Sequence, residues 1–234
     1  MGRPAVALAL VCLSACARHE PPEPTPPAPR EASSVTTLSG AVASADVAPS
    51  PSPAPSAPRS LAGKKVLHVG DSMVGGHFGL TRAFEGKLAE AGAKIVRHTK
   101  VSETLASFDK TPTLRDLLRT HDPDIVVITL GANDANVPHP EAYARNVDNI
   151  VRRVGDRECW WIGPPSVKNA PTASGPSANM SIVTVLREHA GPCRFFDSST
   201  LELERTSDGI HPNDRGAARW ASAFWEAFKA PEPP

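Results

Sequence analysis

The sequence predicts a single α/β domain, in which short buried strands alternate with amphipathic helices around a parallel sheet. From Leu61 onward, the hydrophobic pattern switches repeatedly between short apolar runs and helical spacing. The strongest run, DIVVITL at residues 124–130, contains the unbroken β-branched stretch IVVIT, as expected for a strand covered on both faces. Regular alternation of this kind is typical of parallel sheets with right-handed crossovers.

The strands are the short apolar runs, and five are predicted, at residues 65–70, 93–98, 124–130, 158–162 and 193–196. The first, KVLHVG, is apolar enough to be buried. Trp160 and Trp161 follow each other in the fourth strand and therefore point to opposite faces of the sheet. Each is expected to pack against a different layer of helices.

Helical spacing separates these strands and predicts helices at residues 76–92, 112–119, 140–154, 180–189 and 213–230. In the first helix the inward-facing candidates are Phe78, Ala83, Phe84 and Leu88. Thr111 and Pro112 supply a cap and a first-turn proline for the second. Trp220, Phe224 and Phe228 recur at every fourth position of the last helix. This spacing predicts core contacts rather than a ligand site.

The N-terminal region has the pattern of an export signal and a linker. Residues 1–15 combine Arg3 with a short apolar run, and LSAC at positions 13–16 resembles a bacterial lipobox, which predicts a lipid on Cys16. An ordinary signal peptide cleaved nearby is the alternative. Twelve of the 25 prolines fall in the first 60 residues, so residues 16–60 are predicted to be a disordered or polyproline linker. It is either a spacer or a dispensable tail, and residues 61–234 form the folded domain.

Charge and cysteine usage narrow the class of protein. The 234 residues carry 25 basic and 25 acidic side chains, a balance that argues against a nucleic-acid partner. We expect a monomer in the bacterial cell envelope, on the periplasmic or outer-membrane face, attached to the membrane only through its lipid anchor.

Removal of Cys12 and lipidation of Cys16 leave Cys159 and Cys193, each at the start of an apolar strand. A disulfide is expected if these strands are parallel neighbours, and two buried thiols are the alternative.

Three polar clusters follow predicted strands or precede the last helix: Gly70-Asp71-Ser72, Gly131-Ala132-Asn133-Asp134 and Asp208-Gly209-Ile210-His211-Pro212. In open parallel sheets, ligands bind beyond the carboxyl ends of the strands. The clusters are therefore expected to meet at one edge of the sheet.

Acyl transfer requires the side chains that these clusters bring together. Ser72 is a weak nucleophile until a base takes its proton, and His211 is a suitable base near neutral pH. Asp208 can accept the other ring N–H of the histidine and fix its tautomer. The side-chain amide of Asn133 and the backbone N–H of Ser72 can donate to an oxyanion.

Residues 65–230 resemble the SGNH/GDSL hydrolase family through the GDS, GAND and DGIH segments of the three clusters. The resemblance implies a flavodoxin-like, three-layer α/β/α fold with about five parallel strands in the order 2-1-3-4-5. It also implies hydrolysis of acyl esters by Ser72, His211 and Asp208, with Asn133 as an oxyanion donor. We expect no cofactor and no metal.

The sequence departs from the family pattern in the loop after the second strand. The family places a glycine there, whose backbone N–H is a further oxyanion donor, whereas this chain has VSET at residues 101–104. Ser102 can take the glycine's place, since only a backbone N–H is required.

These patterns predict a serine esterase of the cell envelope that removes small acyl groups, such as O-acetyl, from a glycan or lipid. An O-acyltransferase using the same serine and a catalytically impaired glycan-binding or assembly protein are the alternatives. A phosphatase-like metal site is a further alternative, and it would use Asp71, Asp134, Asp208 and His211. It would leave the serine and the asparagine without a role.

Several nearby residues are expected to have structural roles. Asp71 is expected to shape its turn, Asp134 to bond local backbone, and His68 to be a satisfied structural residue. His77 is expected to line the cleft, and residues 163–179 to lie near its edge, where they could influence substrate choice.

Overall fold

The computed structural model describes residues 60–75, 79–135, 137–166 and 178–230. All of them belong to one compact unit, Pro53–Pro234. The predicted signal peptide, Cys16, the predicted linker up to residue 59, His77 and most of the segment 163–179 lie outside the described residues. Within the described ranges, no helix is long and apolar enough to cross a lipid bilayer.

Five strands form one sheet: β1 (Lys65–Gly70), β2 (Lys94–Thr99), β3 (Ile125–Thr129), β4 (Glu158–Ile162) and β5 (Arg194–Phe196). Their spatial order is β2-β1-β3-β4-β5, and every pair of neighbours is parallel. The predicted fold class and strand order are therefore confirmed. All five carboxyl ends lie at the same edge of the sheet, which places the loops that follow them side by side.

The helices are α1 (Leu80–Glu90), α2 (Leu105–Lys110), α3 (Thr113–His121), α4 (Ala144–Val154), α5 (Ala178–His189) and α6 (Asp214–Lys229). The helix predicted from residue 76 begins at Leu80, because Gly79 is extended and occupies the N-cap. Pro112 is the N-cap of α3 rather than a first-turn residue. A 3₁₀ turn at Pro140–Tyr143 precedes α4, where a single continuous helix was expected.

The short helix α2 was not predicted. Its start is stabilised by a reciprocal pair of hydrogen bonds: Ser107 N donates to Thr104 Oγ1 at 3.1 Å, and Thr104 N donates to Ser107 Oγ at 3.0 Å. Together with the burial of Leu105 and Phe108, this capping stabilises a helix too short to show a helical period.

The core has two layers, one on each face of the sheet. Helices α1 and α6 cover one face and contribute Phe84, Trp220, Phe224 and Phe228, all fully buried. Helices α2 to α5 cover the other face. Trp160 packs in the first layer and Trp161 in the second. The predicted core role of the aromatic residues of α6 and the predicted division of the two tryptophans are confirmed.

A disulfide joins β4 to the residue before β5. Trp160 pairs with Arg194 in the parallel register, so Cys159 lies opposite Cys193. Their Cα atoms are 4.4 Å apart, and the structure joins their sulfur atoms. The disulfide therefore ties the edge strand β5 to the rest of the sheet.

Candidate active site

Ser72 lies in the turn that follows β1, at the carboxyl edge of the sheet. The turn packs so closely that a Cβ atom on Gly70 would lie 2.6 Å from the side chain of Val74 and 2.8 Å from the carbonyl oxygen of Thr129. A glycine is therefore required before Asp71 and Ser72 for β1 and β3 to approach at this point.

His211 lies in the long connection between β5 and α6. Within this connection, residues 206–211 form a short loop that we call the catalytic loop. The Nε2 atom of His211 is 2.9 Å from Ser72 Oγ, and its Nδ1 atom is 2.7 Å from Asp208 Oδ2. A carboxylate oxygen accepts but cannot donate, so Nδ1 carries the proton. The lone pair of Nε2 therefore faces the serine hydroxyl, as a general base requires.

The carboxylate of Asp208 also organises the catalytic loop. Its Oδ1 atom accepts hydrogen bonds from Thr206 Oγ1 at 2.7 Å, Ile210 N at 2.8 Å and His211 N at 2.9 Å. The hydrogen bond from His211, followed by those from Ile210 and Thr206, holds the pKa of Asp208 well below its ordinary range. The side chain of Asp208 is therefore an anion at neutral pH.

Asn133 lies in a 3₁₀ turn, Ala132–Asp134, in the loop that follows β3. Its Nδ2 atom donates to the carbonyl oxygen of Glu103 at 2.9 Å and to Asp71 Oδ2 at 3.3 Å. The amide is thus held beside the turn that carries Ser72. The second polar cluster is in this way joined to the first, at the edge of the sheet where both were expected.

Asp71 and Asp134, which adjoin Ser72 and Asn133 in the sequence, carry buried carboxyl groups. Asp71 Oδ1 accepts from Met73 N at 2.9 Å, and burial raises the pKa of Asp71 to about 7. Burial also raises the pKa of Asp134 to about 6. Asp134 accepts from Leu105 N, in the first turn of α2, at 3.1 Å, and therefore bonds a backbone group 29 residues away rather than the local backbone that was expected.

Ser102 lies in the turn after β2, the position at which the related pattern has glycine. Its φ of 58° is in the left-handed region, where glycine is unstrained and most other residues are uncommon. The next residue, Glu103, offers its carbonyl oxygen to Asn133. The loop that contains Ser102 therefore contacts Asn133 in the structure, although this loop has no glycine at the position where the related family has one.

His68 is buried in β1 between two hydroxyl groups, as expected of a structural histidine. Its Nε2 atom is 2.9 Å from Thr129 Oγ1 and its Nδ1 atom is 3.3 Å from Thr81 Oγ1. Burial, with a smaller effect from Arg97, lowers its pKa to about 3. His68 is therefore neutral throughout the physiological range.

Among the described residues, no three His, Cys, Asp or Glu side chains are grouped closely enough to hold a metal ion. The four residues of the alternative metal site are instead divided between separate tasks. Asp208 and His211 bond each other, whereas Asp71 and Asp134 accept from backbone N–H groups.

Sequence reasoning missed three residues near the site: Glu103, Arg205 and Thr206. Glu103 contributes a backbone carbonyl, which no side-chain pattern can reveal. Thr206 donates to Asp208, and Arg205 donates to the carbonyl oxygens of Ile210 and Ser166. Neither belongs to a motif, so only the fold identifies them.

A family model for GDSL-like lipases and acylhydrolases matches residues 68–219, a range that includes Ser72, Asn133, Asp208 and His211. The chain belongs to the GDSL-like lipase/acylhydrolase family. Protein BcsX of Komagataeibacter xylinus is 22% identical over 202 residues, which cover 71% of this chain and 77% of that protein.

Two solved structures share the fold of this GDSL-like chain. The lipase/acylhydrolase from Enterococcus faecalis matches with a TM-score of 0.57 and 18% identity, over 73% of this chain and 100% of the other. A catalytic mutant of Axe2, an acetylxylan esterase from Geobacillus stearothermophilus, matches with a TM-score of 0.56 and 18% identity, over 70% and 94% of the two chains.

Proposed function

We propose that this protein is a serine esterase of the bacterial cell envelope that removes small acyl groups, such as O-acetyl, from a glycan or lipid. The observation that carries the proposal is the continuous hydrogen-bonded chain from Ser72 Oγ through the ring of His211 to Asp208. Membership of the GDSL-like lipase/acylhydrolase family supports acyl esters as the substrate class.

In the proposed reaction, Ser72 Oγ attacks the ester carbonyl carbon while its proton passes to Nε2 of His211. The tetrahedral intermediate expels the alcohol, which takes that proton, and leaves an acyl group on Ser72. A water molecule then attacks the acyl carbon and gives a proton to His211. The resulting carboxylic acid leaves as Ser72 regains its hydrogen, and Asp208 stabilises the imidazolium in both halves.

The oxyanion of each tetrahedral intermediate requires donors that are already in place. We assign the backbone N–H groups of Ser72 and Ser102 and the side-chain amide of Asn133 to this role. The bond from Asn133 to Asp71 is the longer of its two, at 3.3 Å against 2.9 Å for the bond to Glu103. An oxyanion would therefore compete for this amide proton at smaller cost.

The choice of a large alcohol rests on the openness of the site. The side chains of His211 and Asp208 are 37% and 45% exposed, so a bulky alcohol can approach the ester from solvent. The fold is shared with a structure of an acetylxylan esterase, which supports an acetylated glycan as one candidate. The export signal, the lipid on Cys16 and the linker would place the enzyme at the envelope, tethered to the membrane through the lipid anchor.

The proposal is tested by hydrolysis of p-nitrophenyl acetate. We expect Ser72→Ala and His211→Ala to lower kcat/KM by at least about 10³-fold, since each removes an indispensable part of the triad. Ser181→Ala and His139→Ala are matched controls on exposed side chains and are expected to retain activity. Equal hydrolysis by all five proteins would refute the assignment of the site.

Assays of the same proteins with acetylated xylan as the substrate distinguish the alternative functions. Release of acetate that depends on Ser72 supports the esterase, whereas transfer of acetyl groups to an added glycan acceptor would identify an acyltransferase. Binding of the glycan with no loss of acetyl groups, unchanged in Ser72→Ala, would identify a binding protein.

A further inference from the structure

Arg205 immediately precedes the catalytic loop. It forms an isolated antiparallel bridge with Pro212, and just inside this bridge Thr206 N donates to the carbonyl oxygen of His211 at 2.8 Å. The loop is therefore closed at its base by residues that immediately flank it. The base of the loop is thus bonded directly to the backbone of His211, which is the last residue of the loop.

The guanidinium of Arg205 joins this loop to a second segment. Its Nη1 atom donates to the carbonyl oxygen of Ile210, the residue before His211, and its Nη2 atom donates to the carbonyl oxygen of Ser166 at 2.8 Å. Ser166 belongs to the segment 163–166, which leaves the carboxyl end of β4. One rigid, planar group thus links the catalytic loop to the sheet.

The setting of Arg205 indicates that this link is specific. The side chain is partly buried, and burial lowers its pKa, while the carboxylate of Asp208 acts in the opposite direction. A partly buried guanidinium is costly unless it finds acceptors, and here one N–H of each terminal nitrogen donates to a backbone carbonyl. In contrast, the side chain of Arg215 is 82% exposed. Among the described residues, its ion pair is with the side chain of Glu204 alone.

We propose that Arg205 is a positioning residue for His211, whose guanidinium holds the catalytic loop against the segment after β4. Its hydrogen bonds go to backbone carbonyl oxygens, and not to Ser72 or the ring of His211. Ser72 and His211 lie 139 residues apart in the sequence, and their 2.9 Å contact depends on where the catalytic loop sits. A displacement of about 1 Å in such a contact can lower turnover on the order of 10²-fold.

The inference rests on the proposed esterase function, and two variants of Arg205 test it. Arg205→Met keeps the length of the side chain and removes both donors, so we expect kcat to fall about 10- to 100-fold with little change in KM. Arg205→Lys can still donate to one carbonyl, and we expect it to recover part of the lost kcat. Arg215→Met is the matched control and is expected to keep the kcat of the wild type.

A second measurement needs no turnover. The ring nitrogen NMR shifts of His211, assigned by their loss in His211→Ala, report which nitrogen carries the proton. We expect one tautomer, protonated at Nδ1, in the wild type and in Arg215→Met, and a shift toward a mixture of tautomers in Arg205→Met. If the wild type hydrolyses no ester, the proposed function fails, but the NMR comparison still decides the role of Arg205.

Wild-type kcat together with wild-type His211 shifts in Arg205→Met would overturn the inference. So would a loss of stability in Arg205→Met with the kcat of the folded fraction unchanged, because that result would assign Arg205 a structural role only. If Arg205→Met does not fold, Arg205→Lys is judged by the same two measurements, with the near-ultraviolet circular dichroism of the wild type as the criterion of folding.

Discussion

Replacement of Asp71 by asparagine is predicted to change how the stability of the protein depends on pH. Asp71 is fully buried, and burial raises its pKa to about 7, from an ordinary value of 3.8. The folded protein therefore keeps this proton over a range in which the unfolded chain has lost it. The stabilisation that results is complete below about pH 3.8 and is lost as the pH rises through about 7.

The size of the effect follows from the two pKa values. Each unit of difference corresponds to about 1.4 kcal/mol. Between about pH 5 and about pH 8, ionisation of Asp71 should lower the free energy of unfolding by about 3 kcal/mol. Asp134, with its pKa raised to about 6, acts in the same direction. His68, with its pKa lowered to about 3, acts in the opposite direction, because its unfolded form gains a proton at low pH.

Because these contributions oppose each other, the contribution of Asp71 to the free energy of unfolding must be obtained by comparing the wild type with a variant. The measurement is urea unfolding of the wild type and Asp71→Asn at the two pH values. Relative to the wild type, the variant should gain about 3 kcal/mol of stability on going from the acidic to the alkaline condition. Asp156→Asn, at an exposed carboxyl group, is the control and should show no such gain. Identical pH dependence in the wild type and Asp71→Asn would refute the reasoning.

Three further predictions concern stability and the oxyanion loop. Replacing Cys159 and Cys193 by alanine opens a loop with a sequence separation of 34 residues, and unfolding experiments should show a loss of about 4 kcal/mol. Phe224→Ala removes a ring that packs against both α1 and β4, and the same assay should show a loss of about 3–5 kcal/mol. Ser102→Gly relieves the left-handed backbone and keeps the N–H, so esterase activity should stay within about three-fold of the wild type.

Each of these predictions has a contrary outcome. A double cysteine variant as stable as the wild type under oxidising conditions would mean that the cysteines are not bridged in solution. Loss of less than about 1 kcal/mol in Phe224→Ala would contradict its place in the core. Abolished activity in Ser102→Gly would mean that the serine side chain, rather than its backbone N–H, is needed.

The order of the elements could be predicted because each strand and most helices have a local signature. The strand Glu158–Ile162 was predicted with its observed bounds, and Asn213 was placed at the start of the last helix, which it caps. Helix α2 was missed, since its six residues are stabilised by capping and burial rather than by a repeating pattern. Residues 76–78 carried the pattern of a helix, but the extended backbone of Gly79 delays its start to Leu80.

Only the residues of the site that belong to sequence motifs could be predicted. The carboxyl ends of parallel strands share one edge, so the clusters of Ser72, Asn133 and His211 could be placed together without any coordinates. Contacts between residues distant in sequence could not be predicted. Asp134 accepts from Leu105, 29 residues away, and Arg205 donates to Ser166, 39 residues away. No local spacing signals such pairs.

The central claim, that Ser72 is a nucleophile activated by His211, is tested most directly by covalent trapping. Diethyl p-nitrophenyl phosphate reacts when a serine oxygen attacks phosphorus and displaces p-nitrophenolate, which leaves a diethylphosphoryl group on the serine. Mass spectrometry of the digested protein should locate this group on Ser72 in the wild type, and its formation should be slowed at least about 10³-fold in His211→Ala. Labelling of another residue, or labelling of Ser72 at the same rate in His211→Ala, would contradict the account.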